Sequence, residues 1–240
     1  MRFAVISDIH ANMEALQAVL QDIAVKGVDR IVCLGDCVGY GAQPEEVVRL
    51  LSRRRIHSLV GNHEEAVFDD NVLSWFNPQA TESILRTREV LSKRSVESFH
   101  KWPKTLTVGS SLFVHGFPPD SVHTYLFEAT TDMVSVAMEL TDARVCFVGH
   151  THILTMMAWD GMTVQSLRLT RGVHTLDSRR YIVNVGSVGQ PRDGNNNAKY
   201  IIYEPGKKML EVRFVPYDIK SAAKKIIAAG LPEFFARRLY

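Results

Sequence analysis

The chain has 240 residues, 46% hydrophobic and 22% charged, the make-up of an ordinary soluble protein with ample material for a core. A formal net charge of +2 excludes a strong basic field for long nucleic acid. No apolar run approaches the roughly 18 residues of a membrane helix. Three cysteines, Cys33, Cys37 and Cys146, are odd in number and lack CxxC spacing, so they read as reduced small hydrophobes. The N-terminal MRFAVISDIHAN is too short in its apolar part for a signal peptide, and a cytoplasmic protein is expected.

In chain order, Phe3–Ser7 is a short apolar strand. Met13–Val25 follows with Leu16, Val19, Leu20 and Ile23 at helical spacing. Asn12 either caps that helix or lines a site. Arg30–Leu34 is a strand, Pro44–Arg54 an amphipathic helix opened by proline, and Ile56–Val60 a third strand. This β-α-β-α-β order predicts parallel strands with crossover helices. From 65 to 101 the chain reads as an irregular helical cap over one edge, with no strand. Ser111–His115 is a strand, Thr131–Leu140 a helix and Val145–Val148 a strand.

After His152 come short strands over Thr155–Trp159, Thr163–Leu169, Val173–Leu176, Tyr181–Val185, Tyr200–Tyr203 and Leu210–Val215, parted by turn signals such as Asp160-Gly161 and Pro205-Gly206. A helix over 219–230 and a basic tail close the chain. The expected fold class is α/β: a four-layer α/β/β/α sandwich of two mixed β-sheets over 1–240, one mostly parallel, the other mostly antiparallel. Both are flanked by helices as one domain.

The ends of the strands carry the chemistry. Strand one runs into Asp8 and His10, strand two into Asp36, strand three into Asn62, His63 and Glu64. Later strands run into His115 and into Gly149-His150-Thr151-His152. In extended chain His150 and His152 point the same way and converge on one point. A His-x-His pair alone is weak. Five strand ends that all offer Asp, Asn or His are a pattern, because the C-terminal edge of such sheets is where ligands bind. Asp8, His10, Asp36, Asn62, His115, His150 and His152 are seven ligand types, more than one ion uses but suited to two ions sharing a carboxylate.

The motifs D-x-H, G-D-x-x-G, G-N-H-E, H-G and G-H-T-H, in this order, resemble the calcineurin-like metallophosphoesterase superfamily, from Arg2 to about Arg192. That resemblance implies the four-layer sandwich. It implies one ion on Asp8, His10, Asp36 and His152, a second on Asp36, Asn62, His115 and His150, and Asp36 as the bridge. It gives His63 a phosphate contact and proton donation to the leaving oxygen, with ion-activated water as the nucleophile. Glu64 is expected to orient His63. The N/O ligand set suits Mn²⁺, Fe, Ni²⁺, Co²⁺ or Zn²⁺, with Mn²⁺ the first expectation.

Asn184–Arg192 resembles the N-x-G-S-x-x-x-P-R segment of the small prokaryotic phosphodiesterase branch, which implies Arg192 as a phosphate contact; Asn12, two residues after His10, is a second candidate for substrate binding. Cys37, beside Asp36, and His123 with Tyr125, in the loop after His115, are lesser candidates for the site. The other histidines, His57, His100 and His174, read as structural. The aromatic end, Phe234, Phe235 and Tyr240, fits either the fold's own core or a partner.

Protein phosphatases of the superfamily carry G-D-x-V-D-R-G and an Arg before G-N-H-E. Here Gly39-Tyr40-Gly41 and Val60 stand at those places, so the clamp for a dianionic monoester is missing. The expectation is a dinuclear phosphodiesterase acting on a small phosphoester, a nucleotide-derived one among the options. The alternatives are a phosphomonoesterase or protein phosphatase, a diadenosine tetraphosphate hydrolase, or a metal-binding scaffold that has lost activity.

Overall fold

The computed structural model describes residues 1–240. The first half alternates as expected: β1 (Phe3–Ile6), α1 (Met13–Lys26), β2 (Arg30–Cys33), α2 (Pro44–Arg53) and β3 (His57–Ser58). Asn12 caps α1, its side chain accepting from the Ala15 N–H, and Pro44 opens α2. The next segment holds α3 (Asn62–Phe68), α4 (Asp70–Leu73), α5 (Pro78–Val90) and α6 (Lys93–Phe99).

There follow β4 (Thr105–Val108), β5 (Ser111–Val114), α7 (Thr131–Glu139) and β6 (Val145–Val148). The last part is β7 (Thr155–Trp159), β8 (Val164–Leu167), β9 (Gly172–Thr175), β10 (Arg180–Asn184), β11 (Ala198–Glu204), β12 (Met209–Val215), α8 (Ile219–Ala228) and α9 (Glu233–Arg237). Two elements escape the sequence reading. β4 pairs antiparallel with β5 across a Gly109-Ser110 turn, and α9 replaces the expected tail.

The strands form two six-stranded sheets, ordered β3-β2-β1-β11-β12-β9 and β4-β5-β6-β10-β7-β8. The expected split into a mostly parallel and a mostly antiparallel sheet is corrected. Each sheet holds a parallel triplet, β3-β2-β1 or β5-β6-β10, continued by antiparallel strands. β11 and β12 come from the second half yet extend the first sheet. β10 lies parallel to β6, Tyr181 opposite Val145 and Asn184 opposite Val148.

Strand alternation builds the layers. Phe3, Val5, Phe113, Phe147, Tyr181, Val183, Ile201 and Tyr203 all join the core between the sheets. The ring centroids of Phe147 and Tyr203 meet there at 5.2 Å. Their neighbours face outward: Ala4, Ile6 and Ile202 pack with Leu16, Val19 and Val47 of α1 and α2. Cys146, Val148 and Ile182 pack with Val134 and Met138 of α7. Strands buried on both faces read as continuous apolar runs, which is why VCFV and FAVI carry no alternation in sequence. No helix is long and apolar enough to cross a membrane.

Candidate active site

Both parallel triplets deliver their C-terminal ends to the same edge. β1 feeds Asp8 and His10, β2 feeds Asp36, and the turn after β3 feeds Asn62 and His63. From the second sheet, β5 feeds His115, β6 feeds His150 and His152, and β10 feeds the loop to Arg192. The backbone at the site is unusual. Asp8, His10, Asp36, His150 and His152 have φ of 54°, 47°, 51°, 66° and 61°. Left-handed residues of this kind are costly and are held only where the surroundings over-determine them. His150 and His152 therefore reach the site through left-handed turns and enter different ligand groups, so they do not converge on one point as neighbours on one extended strand would.

The side chains gather into two groups. In one, the ligand atoms of Asp8, His10, Asp36 and His152 lie within 4.8 Å of one another; in the other, so do those of Asp36, His115 and His150. Asp36 belongs to both. Asn62 adds its Oδ1, 3.0 Å from His115 Nε2. All these side chains are buried.

Each imidazole has one ring nitrogen tied to a main-chain carbonyl. Nδ1 of His10, His115 and His152 faces the carbonyls of Val38, Leu34 and Gln190 at 3.0, 3.2 and 2.7 Å. His150 is reversed, its Nε2 facing the His123 carbonyl at 3.0 Å. A carbonyl only accepts, so each of these nitrogens carries the proton and the other is turned to the carboxylates. In consequence His10 and His152 aim unprotonated Nε2 atoms at each other, 3.0 Å apart. Two lone pairs at that distance repel unless a cation or proton lies between them. The residues present thus fit divalent metal ions, held by nitrogen and oxygen donors without thiolate.

Charge at the site follows from the same crowding. Burial works against the carboxylate form of Asp36, but the imidazoles of His115 and His63 outweigh it and hold the group well below its usual range. Burial likewise opposes charge on His115, yet Asp36 and Asp8 pull its pKa up to about 9. Burial pushes His63 down to about 4 and His150 down to about 3.

Glu64 does not touch His63, which corrects the expected role. Its carboxylate accepts from the N–H groups of Asp36 and Gly61 at 2.8 and 2.9 Å, and from Cys37 and Val38 at 2.7 and 3.3 Å. It staples the turn after β2 to the start of α3, fixing Asp36 through its backbone. Burial and the Asp36 charge together raise the Glu64 pKa to about 7. Cys37 faces inward beside Cys33, the sulfurs 3.5 Å apart, and takes no part in the cluster.

A cavity of about 180 Å³ opens over the cluster. Asp36, Asn62, His63, His150 and His152 form its floor; Tyr40, Trp75, Phe76, Tyr125 and Arg192 form its walls. Arg192 lines the same cavity. Asn12 is not in this cavity: its amide is spent on capping α1 and on donating to the Gly189 carbonyl at 2.9 Å. His123 lines the cavity, with its ring paired to Glu65 at 2.8 Å. Tyr125 stacks on His150 at 3.8 Å.

The segment 65–101, expected as a cap over one edge, supplies Trp75, Phe76, Asn77 and Ala80 to the cavity wall. Trp75 is 67% exposed, a large apolar side chain left outside the core at the mouth of the cavity, and no local pattern in the sequence marked it. Gly39 makes room for His63: a Cβ there would lie 2.1 Å from the ring's Nδ1.

Comparison with known proteins identifies the family. Residues 1–208 match the calcineurin-like phosphoesterase superfamily domain. An uncharacterised protein of Methanocaldococcus jannaschii is 39% identical over 243 aligned positions, covering 99% of this chain and 96% of that protein. The crystal structure of a metallophosphoesterase from Sphaerobacter thermophilus is 34% identical with a TM-score of 0.85, over 100% of this chain and 98% of that one. A hypothetical protein from Pyrococcus horikoshii shares the fold at 19% identity, TM-score 0.78, over 100% of this chain and 97% of that one. The chain belongs to the calcineurin-like phosphoesterase superfamily. The family and the Asp/His clusters together point to divalent-metal binding.

Proposed function

We propose that the chain is a dinuclear metal-dependent phosphodiesterase. The observation that carries this is the double membership of Asp36: two ligand groups share one carboxylate, the arrangement a pair of ions needs. Asp8, His10, Asp36 and His152 would hold one ion, and Asp36, Asn62, His115 and His150 the other. Bound there, the ions supply Lewis acidity toward phosphoryl oxygen and a lowered pKa for water.

His63 lines the cavity as a neutral imidazole, with a buried Nδ1 that has no partner in the protein. It offers a hydrogen bond to a phosphoryl oxygen, and the phosphoester's negative charge favours its protonation, so that it can pass a proton to the leaving oxygen. Arg192 grips a second phosphoryl oxygen.

Preference for diesters rests on charge. Arg192 is the only Lys or Arg among the residues lining the cavity. Tyr40 occupies the place where the family's phosphatases carry arginine, and burial pushes its phenol up to about 12, so it stays neutral. One fixed cation suits the single charge of a diester better than the two of a monoester.

The test is hydrolysis of an aryl phosphodiester and the matching monoester by chelated protein refilled with Mn²⁺, beside Asp36→Asn. Diester turnover is expected to need the metal. Asp36→Asn should cost more than the roughly 10–100-fold typical of losing a ligand's hydrogen-bonded support. Faster monoester turnover would overturn the diester reading.

A further inference from the structure

Arg192 and Arg238 come from distant parts of the chain, one from the loop after β10 and one from the residue that follows α9. Both line an open groove with Asn195, Asn196 and Tyr240. Arg192 also lines the cavity over the Asp/His cluster, so a single side chain joins cavity and groove.

Neither guanidinium has a carboxylate partner, because the acids beside them are engaged elsewhere. Asp193 pairs with Lys199 and Glu233 with Arg237, each at 2.8 Å. Arg192 donates to the Gln190 side chain at 3.2 Å and leaves its buried Nε unpartnered. Its backbone N–H donates to the carbonyl of His152, 3.2 Å away, which ties its position to the cluster. Arg238 lies over the ring of Phe234, 4.8 Å from the centroid. Burial and repulsion from Arg192 both lower its pKa, as expected of two cations that share a groove.

Two unpaired guanidinium groups beside one groove repel in the free protein, and an anion between them removes that penalty. Their planar forks match phosphate oxygens. Resting on the phosphodiesterase reading of the neighbouring cluster, we propose that Arg192 and Arg238 form a second phosphate position, and that the substrate class is a phosphoester with an adjacent phosphoryl group, a diphosphate ester. The bond that breaks is the ester P–O bond at the cluster. Water supplies the new oxygen on phosphorus, its proton goes to the leaving oxygen or to solvent, and the P–O–P link held by the arginines stays intact.

The experiment uses the full-length, Mn²⁺-loaded protein and two matched substrates, the p-nitrophenyl esters of a nucleoside 5′-monophosphate and of its 5′-diphosphate. Binding of methylphosphonate and methylenediphosphonate is measured separately by calorimetry. Wild type is expected to show a KM about tenfold lower for the diphosphate ester and a similar preference for the diphosphonate. Arg238→Ala should erase most of both preferences. Arg237→Ala, which removes the same charge one residue away, should keep both. An unchanged preference in Arg238→Ala, or no diphosphonate preference in wild type, overturns the arginine pair. A wild type that turns over neither ester, but keeps a diphosphonate preference that Arg238→Ala removes, overturns the phosphodiesterase reading and supports the pair.

Discussion

The ring of Phe235 stacks on that of Tyr40, with centroids 4.6 Å apart and planes inclined by 30°. Tyr40 in turn packs against the imidazoles of His10 and His63 at 4.4 and 4.5 Å. A residue five positions before the last one therefore supports two residues of the candidate site through one intervening ring. Phe235 is 2% exposed and belongs to the small core of α8 and α9, whereas Phe234 and Tyr240 face solvent.

Phe235→Ala should destabilise the protein by about 3 kcal/mol in denaturant titration, the cost of a large-to-small change in a packed site. Phe235→Leu should cost less than about 1.5 kcal/mol. Turnover of an aryl phosphodiester should fall in the Ala variant under conditions where it is still fully folded. Unaltered turnover there would show that Tyr40 holds its place without the stack.

Glu64→Gln tests the staple between the turn after β2 and α3. Glutamine can accept at one end only, so main-chain N–H groups now paired with the carboxylate lose an acceptor and face a donor. Each buried N–H left unpaired costs about 1–3 kcal/mol. The variant should unfold at lower denaturant and bind Mn²⁺ more weakly, because Asp36 is held through its backbone. Equal stability and equal affinity would sink this account.

Gly39→Ala should mimic the loss of His63. The glycine has φ of 81°, and its added Cβ would fall on the imidazole. Phosphodiester turnover should drop by about 10²-fold or more, the usual worth of a positioned proton donor. Metal content by elemental analysis should stay at the wild-type value, since no ligand moves. Loss of metal together with activity would place the damage in the ligand turns instead.

Metal binding should release protons at pH 7.5. In the ion-free protein His115 has a pKa of about 9 and holds a proton there, while His150, at about 3, is already neutral. An ion on His115 must displace that proton. Apparent affinity should therefore rise about tenfold per pH unit below pH 9 for the ion that His115 holds. The stability sign is consistent: a raised histidine pKa stabilises the ion-free fold below the unfolded value near 6.5 and loses that contribution as pH rises through about 9. Calorimetry in buffers of different ionisation enthalpy measures the release, and a value of zero at pH 7.5 would contradict the assignment.

The seven candidate ligands and His63 were legible because each lies within a few residues of a strand end, and strand ends are local features. An apolar run closed by Gly-Asp or Gly-Asn-His can be read without knowing where the strand goes. The strands β1, β2, β6 and β7 were legible for the same reason. What local pattern could not give was sheet membership. β10 reads like its antiparallel neighbours, yet its parallel pairing with β6 is what aims the loop to Arg192 at the cluster. The partners of Glu64 were equally hidden, since three of its four donors lie far back in the chain.

The sequence by itself determined the α/β class, the set of candidate ligating side chains and their order, because those depend on residue type and short spacing. Only the tertiary structure decided that each sheet carries a parallel triplet, that Trp75 and Phe76 wall the cavity, that Phe235 packs behind Tyr40, and that Arg238 lines the groove beside the cavity. These are contacts between segments far apart in sequence. They are fixed by which apolar faces bury each other, and neighbouring residues carry no record of that choice.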